Sequence, residues 1–382
     1  MSGSGFARLW FVPVLVIWIA LQGSSVQGQQ RGGTPQTEKV RPINSGPNPY
    51  RVIRDWAQLN LEGRPWGGSN GVAIDRDGKT VWATDRCSPG TTPGCLGTNA
   101  NPVHHFDESG KEIRSFGGGM FVWPHGIHVD RDGNVWVTDA RAPSADDLEK
   151  SHGEHNKGSV VVKFNPDGKV LMTLGKPGVR GTPPDALIEP TDVVTDPRNG
   201  DVYVAESHTD VTDPNLIGRI SVFDKNGKYL RAIGKAGTGP AEFRTPHALE
   251  FDSRGRLIVA DRHNHRIQIL TKDGKFLSEY DDFGRVSGLA IDTSDMIYTA
   301  DSESTDRVHP GWLKGIRIDV HPTAQDGCSR WRHGGRHRHR HCGQFVHGGS
   351  NPEGRDEIRQ ELEIRFVAGT CASEYPRLRA LL

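Results

Sequence analysis

The chain has 382 residues, and 47 Lys plus Arg are balanced by 47 Asp plus Glu, so its formal net charge is zero. With no basic stripe for nucleic acid and no acidic tail, we predict no nucleic-acid partner. Hydrophobic residues make up only 34% of the chain, whereas Gly (47) and Pro (24) are abundant. This composition is typical of many short strands joined by tight turns, and no long stretch has helical periodicity.

The N-terminus has the features of a targeting segment. An apolar run, LWFVPVLVIWIAL, extends from Leu9 to Leu21 and is followed by small and polar residues up to Gly28. The run is short for a membrane span, so residues 1–28 are predicted to be a signal peptide. The alternative is an uncleaved anchor, the one arrangement that would place this chain at a membrane. Either way we expect a secreted or periplasmic protein, with residues 29–49 as a flexible, Pro- and Gly-rich lead-in.

One pattern recurs along the middle of the chain. Five segments share it: SNGVAIDRDGKTVWATDR, WPHGIHVDRDGNVWVTDA, EPTDVVTDPRNGDVYVAES, TPHALEFDSRGRLIVADR and VSGLAIDTSDMIYTADSE. Each has an alternating apolar strand, a turn, and a second strand that ends in an acid. The closing acids are Asp85, Asp139, Glu206, Asp261 and Asp301. Gly and Asn stand where such turns need positive φ, so we assign the turn carboxylates to turn chemistry and not to calcium sites.

Two further strands follow in these units, joined in four of them by a hairpin that ends in Gly-Lys. Each unit is therefore predicted to be a four-stranded meander, which cannot bury both of its own faces and must stack on its neighbours around a channel. The fold class is all-β, a β-propeller that spans residues 50–318. Five blades are evident, and the segment from Tyr50 to Trp56 is predicted to be a strand of a sixth.

The repeat stops in the middle of a blade, after Ile318. Residues 319–382 contain the tract CSRWRHGGRHRHRHCG and have neither the hairpin nor the closing acid. One interpretation is a His- and Cys-rich appendage, metal-binding or disordered. The other, which we favour, is a shift of reading frame that has replaced the last blade. We therefore expect a six-bladed pattern with its last blade missing or damaged, in a monomeric protein.

A pair of cysteines brackets a short loop. Cys87 and Cys95 flank SPGTTPG, and in an oxidising compartment such a loop is readily closed by a disulfide. The alternative is two free surface thiols.

Propeller topology predicts where a site lies. His125 of WPHG and His247 of TPHA open first strands, whereas Arg86, His208 and Arg262 directly follow second strands. Because these strands are antiparallel, the five side chains should converge on one face of the disc, near the channel. We expect a small peptide or protein ligand there.

The segments resemble NHL repeats, and more narrowly the catalytic propeller of the peptidyl-α-hydroxyglycine α-amidating lyase family, bacterial type, from about Tyr50 to Ile318. The resemblance implies zinc-dependent cleavage of an N–Cα bond, which gives a peptide amide and glyoxylate. By resemblance, His125 and His247 match two of three zinc-ligand histidines, and Arg86 and Arg262 match active-site arginines that hold a carboxylate.

The resemblance also implies a structural calcium, bound through the backbone carbonyls of Val72 and Ile127. His208 stands where the family has a catalytic tyrosine, so an imidazole would act as the base. The third zinc histidine belongs to a last blade that is not found here. The rival hypothesis is a non-catalytic propeller that binds protein, peptide or glycan. A calcium-dependent propeller lactonase ranks last, because we expect His-Pro, and not Glu or Asn, at the channel positions.

Overall fold

A computed structural model describes residues 53, 55–59, 63–88, 94–150, 155–208, 216–312, 314–320 and 343–346. Its regular structure is almost entirely β, arranged as five four-stranded sheets. The prediction of an all-β propeller is confirmed. Among the described residues there is no helix with the length and apolar character needed to cross a membrane.

The sheets follow one another along the chain. The first contains β1 (Val72–Ile74), β2 (Val81–Thr84), β3 (Val103–Phe106) and β4 (Glu112–Phe116). The second contains β5 (Pro124–Val129), β6 (Val135–Asp139), β7 (Val160–Phe164) and β8 (Val170–Leu174), with helix α1 (Ala145–Lys150) between β6 and β7. The third contains β9 (Pro190–Thr195), β10 (Val202–Glu206), β11 (Arg219–Phe223) and β12 (Tyr229–Ile233).

A parallel two-stranded ribbon then precedes the fourth sheet. The ribbon pairs β13 (Lys235–Ala236) with β14 (Glu242–Phe243). The fourth sheet contains β15 (Pro246–Phe251), β16 (Arg256–Asp261), a 3₁₀ turn (Arg262–Asn264), β17 (Arg266–Thr271) and β18 (Phe276–Tyr280). The fifth contains β19 (Val286–Ile291), β20 (Met296–Asp301), β21 (Gly315–Val320) and β22 (Gly343–Val346). Each sheet is an antiparallel meander in chain order, as expected for blades.

Apolar layers between consecutive blades form the core. Their largest buried side chains include Trp82 and Phe164 between the first two blades, Trp136 and Phe223 between the second and third, Tyr203 and Leu257 between the third and fourth, and Ile269 and Ile297 between the fourth and fifth. Burying one side chain of this size contributes about 1.5–3 kcal/mol. Inter-blade packing therefore fixes each blade against the next.

The turn carboxylates have the turn role that the sequence predicts. In the first hairpin of the second blade, Asp130 Oδ1 accepts hydrogen bonds from the backbone N–H of Asp132 (2.9 Å) and Asn134 (2.9 Å). Gly133 in that turn has φ +84°, which disfavours any side chain. Asp252 makes the equivalent pair of bonds in the fourth blade.

In four blades the closing acid ties the blade to the segment that enters it. Asp139 accepts from the backbone N–H of Val122 (2.8 Å) and Trp123 (2.6 Å), directly before β5. Asp261 accepts from Arg244 N–H (2.7 Å), two residues before β15. These bonds fix the start of the first strand, which is where the Pro-His pairs lie.

Several predicted segments lie wholly or largely outside the described residues. They are the signal peptide (1–28), the lead-in (29–49), most of the strand predicted at 50–56 and most of the tail (319–382). Near the predicted sixth-blade strand, Gln58 makes a parallel bridge to Lys111. Within the tail, residues 343–346 pair antiparallel with β21.

Candidate metal centre and anion pocket

The first strands of all five blades line a central channel. Val72 and Ile127 are among the lining residues, so the two predicted calcium positions share this channel, and the calcium stays a prediction. Asp192 and Glu250 line the channel too. The prediction that the channel positions are His-Pro and not acidic is therefore wrong, because the first strands carry acids beyond the Pro-His position. Burial raises the pKa of Asp192 to about 7.

Three histidines meet at one end of this scaffold. His125, His208 and His247 each offer a ring nitrogen, and these atoms all lie within 4.8 Å of one another. The ring centroids are 5.2 Å apart for His125 and His208, 4.7 Å for His125 and His247, and 5.5 Å for His208 and His247. We call this set the histidine cluster. It joins the two predicted zinc ligands to the residue that was predicted to be a base.

β-Bulges place the two Pro-His histidines. The register of β5 against β6 shifts between Pro124 and Ile127, and that of β15 against β16 shifts between Pro246 and Ala248. A bulge adds an unpaired residue and re-aims its side chain. His125 and His247 therefore sit at equivalent bulged positions, in the second and fourth blades.

The same bulge in the third and fifth blades orients both imidazoles. Register shifts also place Thr191 of β9 and Ser287 of β19 at bulged positions. His125 Nδ1 lies 2.7 Å from the Thr191 carbonyl oxygen, and His247 Nδ1 lies 2.7 Å from that of Ser287. Since a carbonyl only accepts, both Nδ1 atoms carry the proton and donate it. Each Nε2 is then left with a lone pair.

His208 reaches the cluster from a different direction. It follows the end of β10, and its backbone N–H donates to Glu189 Oε2 (2.9 Å). The Glu189 backbone carbonyl also accepts from Ser207 N–H (3.2 Å). Glu189 therefore holds the backbone that carries His208 against the entry to β9.

The donor set fits a zinc ion. Nε2 of His125 and Nε2 of His247 are buried, with no hydrogen-bond partner among the described residues. An unpaired buried acceptor costs about 1–3 kcal/mol, which a bound cation would offset. Zinc prefers neutral imidazole nitrogen, and a catalytic zinc site uses three protein ligands plus an open position.

Electrostatics keep the cluster neutral. Burial, reinforced by the neighbouring histidines and arginines, holds the pKa values of His125 and His247 well below their usual range. Burial and the charges of Arg262 and Arg86 lower the pKa of His208 to about 3. All three rings are thus in the metal-binding form at neutral pH without a proton having to leave.

Arg86 is a partly buried cation beside the cluster. Its guanidinium carbon lies 3.8 Å from the centroid of the Trp123 ring, and the Trp123 ring meets His208 edge-on at 5.1 Å between centroids. In the part of the chain that the structure describes, no acid pairs with the guanidinium, and its Nε has no hydrogen-bond partner. Burial, with Arg141 and Arg262 nearby, lowers the pKa of Arg86 to about 9. A partly buried arginine that has no acidic partner among the described residues can bind an anion through charge-assisted hydrogen bonds.

Arg262 has a partner of its own. It begins the 3₁₀ turn after β16, and its Nη1 lies 3.2 Å from Oε1 of Glu303, which follows β20 in the next blade. The neighbouring acids of both arginines are engaged elsewhere, because Asp85 pairs with Arg64 and Asp261 pairs with Arg266. Burial lowers the pKa of Arg262 to about 10 even though Glu303 opposes the shift.

A disulfide joins Cys87 to Cys95 beside Arg86. Cys95 N–H donates to the Val122 carbonyl (2.9 Å), which attaches this loop to the segment leading into Trp123 and His125. Cys87 N–H donates to Asp85 Oδ1 (2.9 Å). The loop that carries Arg86 is thus fixed to the strand that carries a cluster histidine.

The two arginines and three histidines lie together, as the strand directions predict. Other groups beside them could not be identified from the sequence. Trp123 and Glu303 contact the predicted arginines, but neither stands in the repeated motif at a position that indicated a site. His128, by contrast, lies outside the cluster, with its Nε2 2.9 Å from Thr195 Oγ1.

Fold and site together define a β-propeller with a histidine cluster beside two arginines. Residues 199–281 match a family described as a 6-bladed beta-propeller (DUF5128). The chain is 31% identical over 249 residues to peptidyl-glycine alpha-amidating monooxygenase B of Xenopus laevis, a match that covers 60% of this chain and 26% of that protein.

Two further relatives also match part of this chain. NHL repeat-containing protein 3 of Mus musculus is 31% identical over 216 residues, or 55% of this chain and 54% of that protein. A probable peptidyl-α-hydroxyglycine α-amidating lyase of Caenorhabditis elegans is 32% identical over 161 residues, or 41% of this chain and 39% of that protein. The chain thus spans between about a quarter and about half of the length of these relatives, and its resemblance to amidating lyases and NHL-repeat proteins is confirmed.

Proposed function

We propose that this chain is an exported, zinc-dependent lyase that cleaves peptidyl-α-hydroxyglycines. The observation that carries the proposal is the histidine cluster, with two buried Nε2 atoms unpaired. Next to it lies Arg86, which is partly buried and has no acidic partner among the described residues. The name of the Caenorhabditis relative, a probable peptidyl-α-hydroxyglycine α-amidating lyase, points to the same chemistry.

His125, His208 and His247 would hold the zinc, which when bound would supply a Lewis acid for the α-hydroxyl group of the substrate. His208 then serves as the third ligand, in place of the histidine expected from a last blade. A ring nitrogen that binds a metal cannot also remove a proton, so this assignment replaces the role of general base that the resemblance implied for His208.

The arginines bind and orient the ligand in this proposal. Arg86 holds the carboxylate of the terminal hydroxyglycine by charge-assisted hydrogen bonds, and the Trp123 ring stabilises the guanidinium by a cation–π contact. Trp123 is buried and Arg86 is partly buried, which strengthens that attraction relative to water.

The reaction balances without an added oxidant or reductant. The bond between the amide nitrogen and Cα breaks, the hydroxyl oxygen becomes the aldehyde oxygen of glyoxylate, and one proton moves from that hydroxyl to the amide nitrogen. The chain must therefore bind the carboxylate, fix the hydroxyl and exclude water, and no cosubstrate is needed.

Export is part of the proposal. The apolar run from Leu9 to Leu21 supports it, and a disulfide between Cys87 and Cys95 suits an oxidising compartment.

The test is glyoxylate release from an N-acyl-α-hydroxyglycine by the exported chain. We expect turnover that needs zinc, stops with a chelator and is lost in His125→Ala, whereas the matched variant His128→Ala keeps it. Glyoxylate release no faster than with zinc alone would reject the lyase. Binding of the substrate without turnover would instead favour a ligand-binding propeller.

A further inference from the structure

The two arginines beside the histidine cluster are not equivalent. We infer that Glu303 acts as an internal carboxylate ligand for Arg262, so that Arg86 alone is the anchor for an incoming carboxylate and Glu303 sets how strongly the site binds one. This inference rests on the proposed function for its ligand class, a carboxylate.

Glu303 occupies the position that an external carboxylate would take on Arg262. Its Oε1 lies 3.2 Å from Arg262 Nη1, and its Oε2 accepts a hydrogen bond from Arg285 Nη2 at 2.5 Å. Nε2 of His263 lies 4.0 Å from the same Oε2. One carboxylate from the fifth blade thus faces three nitrogen-bearing groups, and it bridges the fourth and fifth blades.

The charge of Glu303 also acts on the histidine cluster. Its charge opposes the effect of the arginines on the pKa of His208, so its field extends to that ring. An anion that enters the site feels the same field, as a repulsion. The side chain of Glu303 is 37% exposed, while that of Arg262 is 6% exposed. The carboxylate therefore lies on the solvent side of this buried arginine.

Arg86 presents the opposite situation. Its guanidinium lies on Trp123, and no described acid neutralises it. An incoming carboxylate gains a full charge-assisted interaction at Arg86, but at Arg262 it must first displace Glu303. Arg86 and Arg262 occupy similar positions in the sequence repeat. We nevertheless expect Arg86 to bind an incoming carboxylate more strongly than Arg262 does.

The experiment measures acetate affinity on the metal-free chain, from the rise in the unfolding midpoint at constant ionic strength. Acetate is a carboxylate without a scissile bond, so the result does not depend on turnover or on zinc. A lyase that fails its own test leaves this measurement interpretable, and the reverse also holds.

We expect Glu303→Gln to bind acetate about tenfold more tightly than the parent, because a unit negative charge a few Å from the ligand is removed in a low-dielectric pocket. The matched control is Glu279→Gln, since Glu279 pairs with Arg266 at 2.7 Å and lies outside the site. This control should leave acetate affinity within about twofold of the parent, as rim ion pairs contribute little.

The arginine variants complete the test. In the parent, Arg86→Gln should abolish most acetate binding, whereas Arg262→Gln should change it by less than about threefold, because the Glu303 carboxylate already lies against Arg262. In Glu303→Gln, adding Arg262→Gln should remove the tenfold gain. If Glu303→Gln does not fold, Glu303→Asp, which withdraws the carboxylate by one methylene, should give a smaller gain of the same sign.

Two results would overturn the inference. One is an acetate affinity in Glu303→Gln that equals or falls below that of Glu279→Gln, which would make Glu303 a support for Arg262. The other is an equal loss on replacing Arg86 and Arg262 in the parent.

Discussion

Replacing His208 by alanine separates the two roles that this side chain could have. As the third ligand, it contributes to zinc affinity; as a base beside a two-histidine site, it would affect turnover alone. Its ring nitrogen lies within 4.8 Å of those of His125 and His247. Burial also lowers its pKa to about 3, so the ring offers a free lone pair at neutral pH.

The size of the effect follows from the number of ligands. Four-ligand zinc sites bind with an apparent free energy of about 10–16 kcal/mol, or about 2.5–4 kcal/mol per ligand. Loss of one ligand should therefore raise the zinc Kd by about 10²- to 10³-fold. Competition titration of zinc with a chromophoric chelator measures this directly.

The matched control is His128→Ala, which removes another buried imidazole from the strand that carries His125 and contacts Thr195. It should leave the zinc Kd unchanged within a factor of about three, since it removes no ligand. Equal zinc affinity in His208→Ala and the parent would refute the three-histidine site. It would return His208 to the role of base, with two zinc ligands.

The remaining predictions concern pH and the disulfide. Zinc affinity should stay nearly constant from pH 8 to about pH 5. The lowered pKa values of the histidine cluster mean that protons compete with zinc only well below the ordinary histidine pKa of about 6.5. Calorimetric titrations that show a steep loss of zinc affinity between pH 7 and 6 would contradict this. Replacing Cys87 and Cys95 by serine should lower the free energy of unfolding by about 2–3 kcal/mol through the loss of a short closed loop, and should weaken acetate binding at the adjacent Arg86. Urea unfolding curves and acetate titrations that match those of the parent would show that the bond supports neither.

The fold was predictable because its information is repeated along the chain. Each unit carries its own strand alternation, glycine turn and closing acid, and a single such unit cannot bury both of its faces. Asp139 and Asp261 illustrate why the acids recur, since each fixes the segment that leads into a Pro-His pair. The convergence of His125, His247 and His208 also followed from strand direction alone.

The contacts between blades were not predictable in the same way. Thr191 and Ser287 orient the histidines through backbone carbonyls at bulges, and a backbone carbonyl has no side-chain signature in a sequence. Glu303 pairs with Arg262 across 41 positions of the chain, in a geometry that depends on how two blades pack. The family resemblance predicted a base at His208, because this residue stands at a tyrosine position of the family. It carried no information on the distance between the His208 ring and those of His125 and His247.

The central claim is that three histidines from three blades hold one metal ion. Anomalous diffraction at the zinc edge, on crystals of the zinc-loaded chain, tests it most directly. We predict a single peak at about 2.0–2.1 Å from Nε2 of His125, Nε2 of His247 and a ring nitrogen of His208, with an open fourth position toward Arg86. A peak elsewhere, or one bound by His125 and His247 while the His208 ring turns away, would contradict the account.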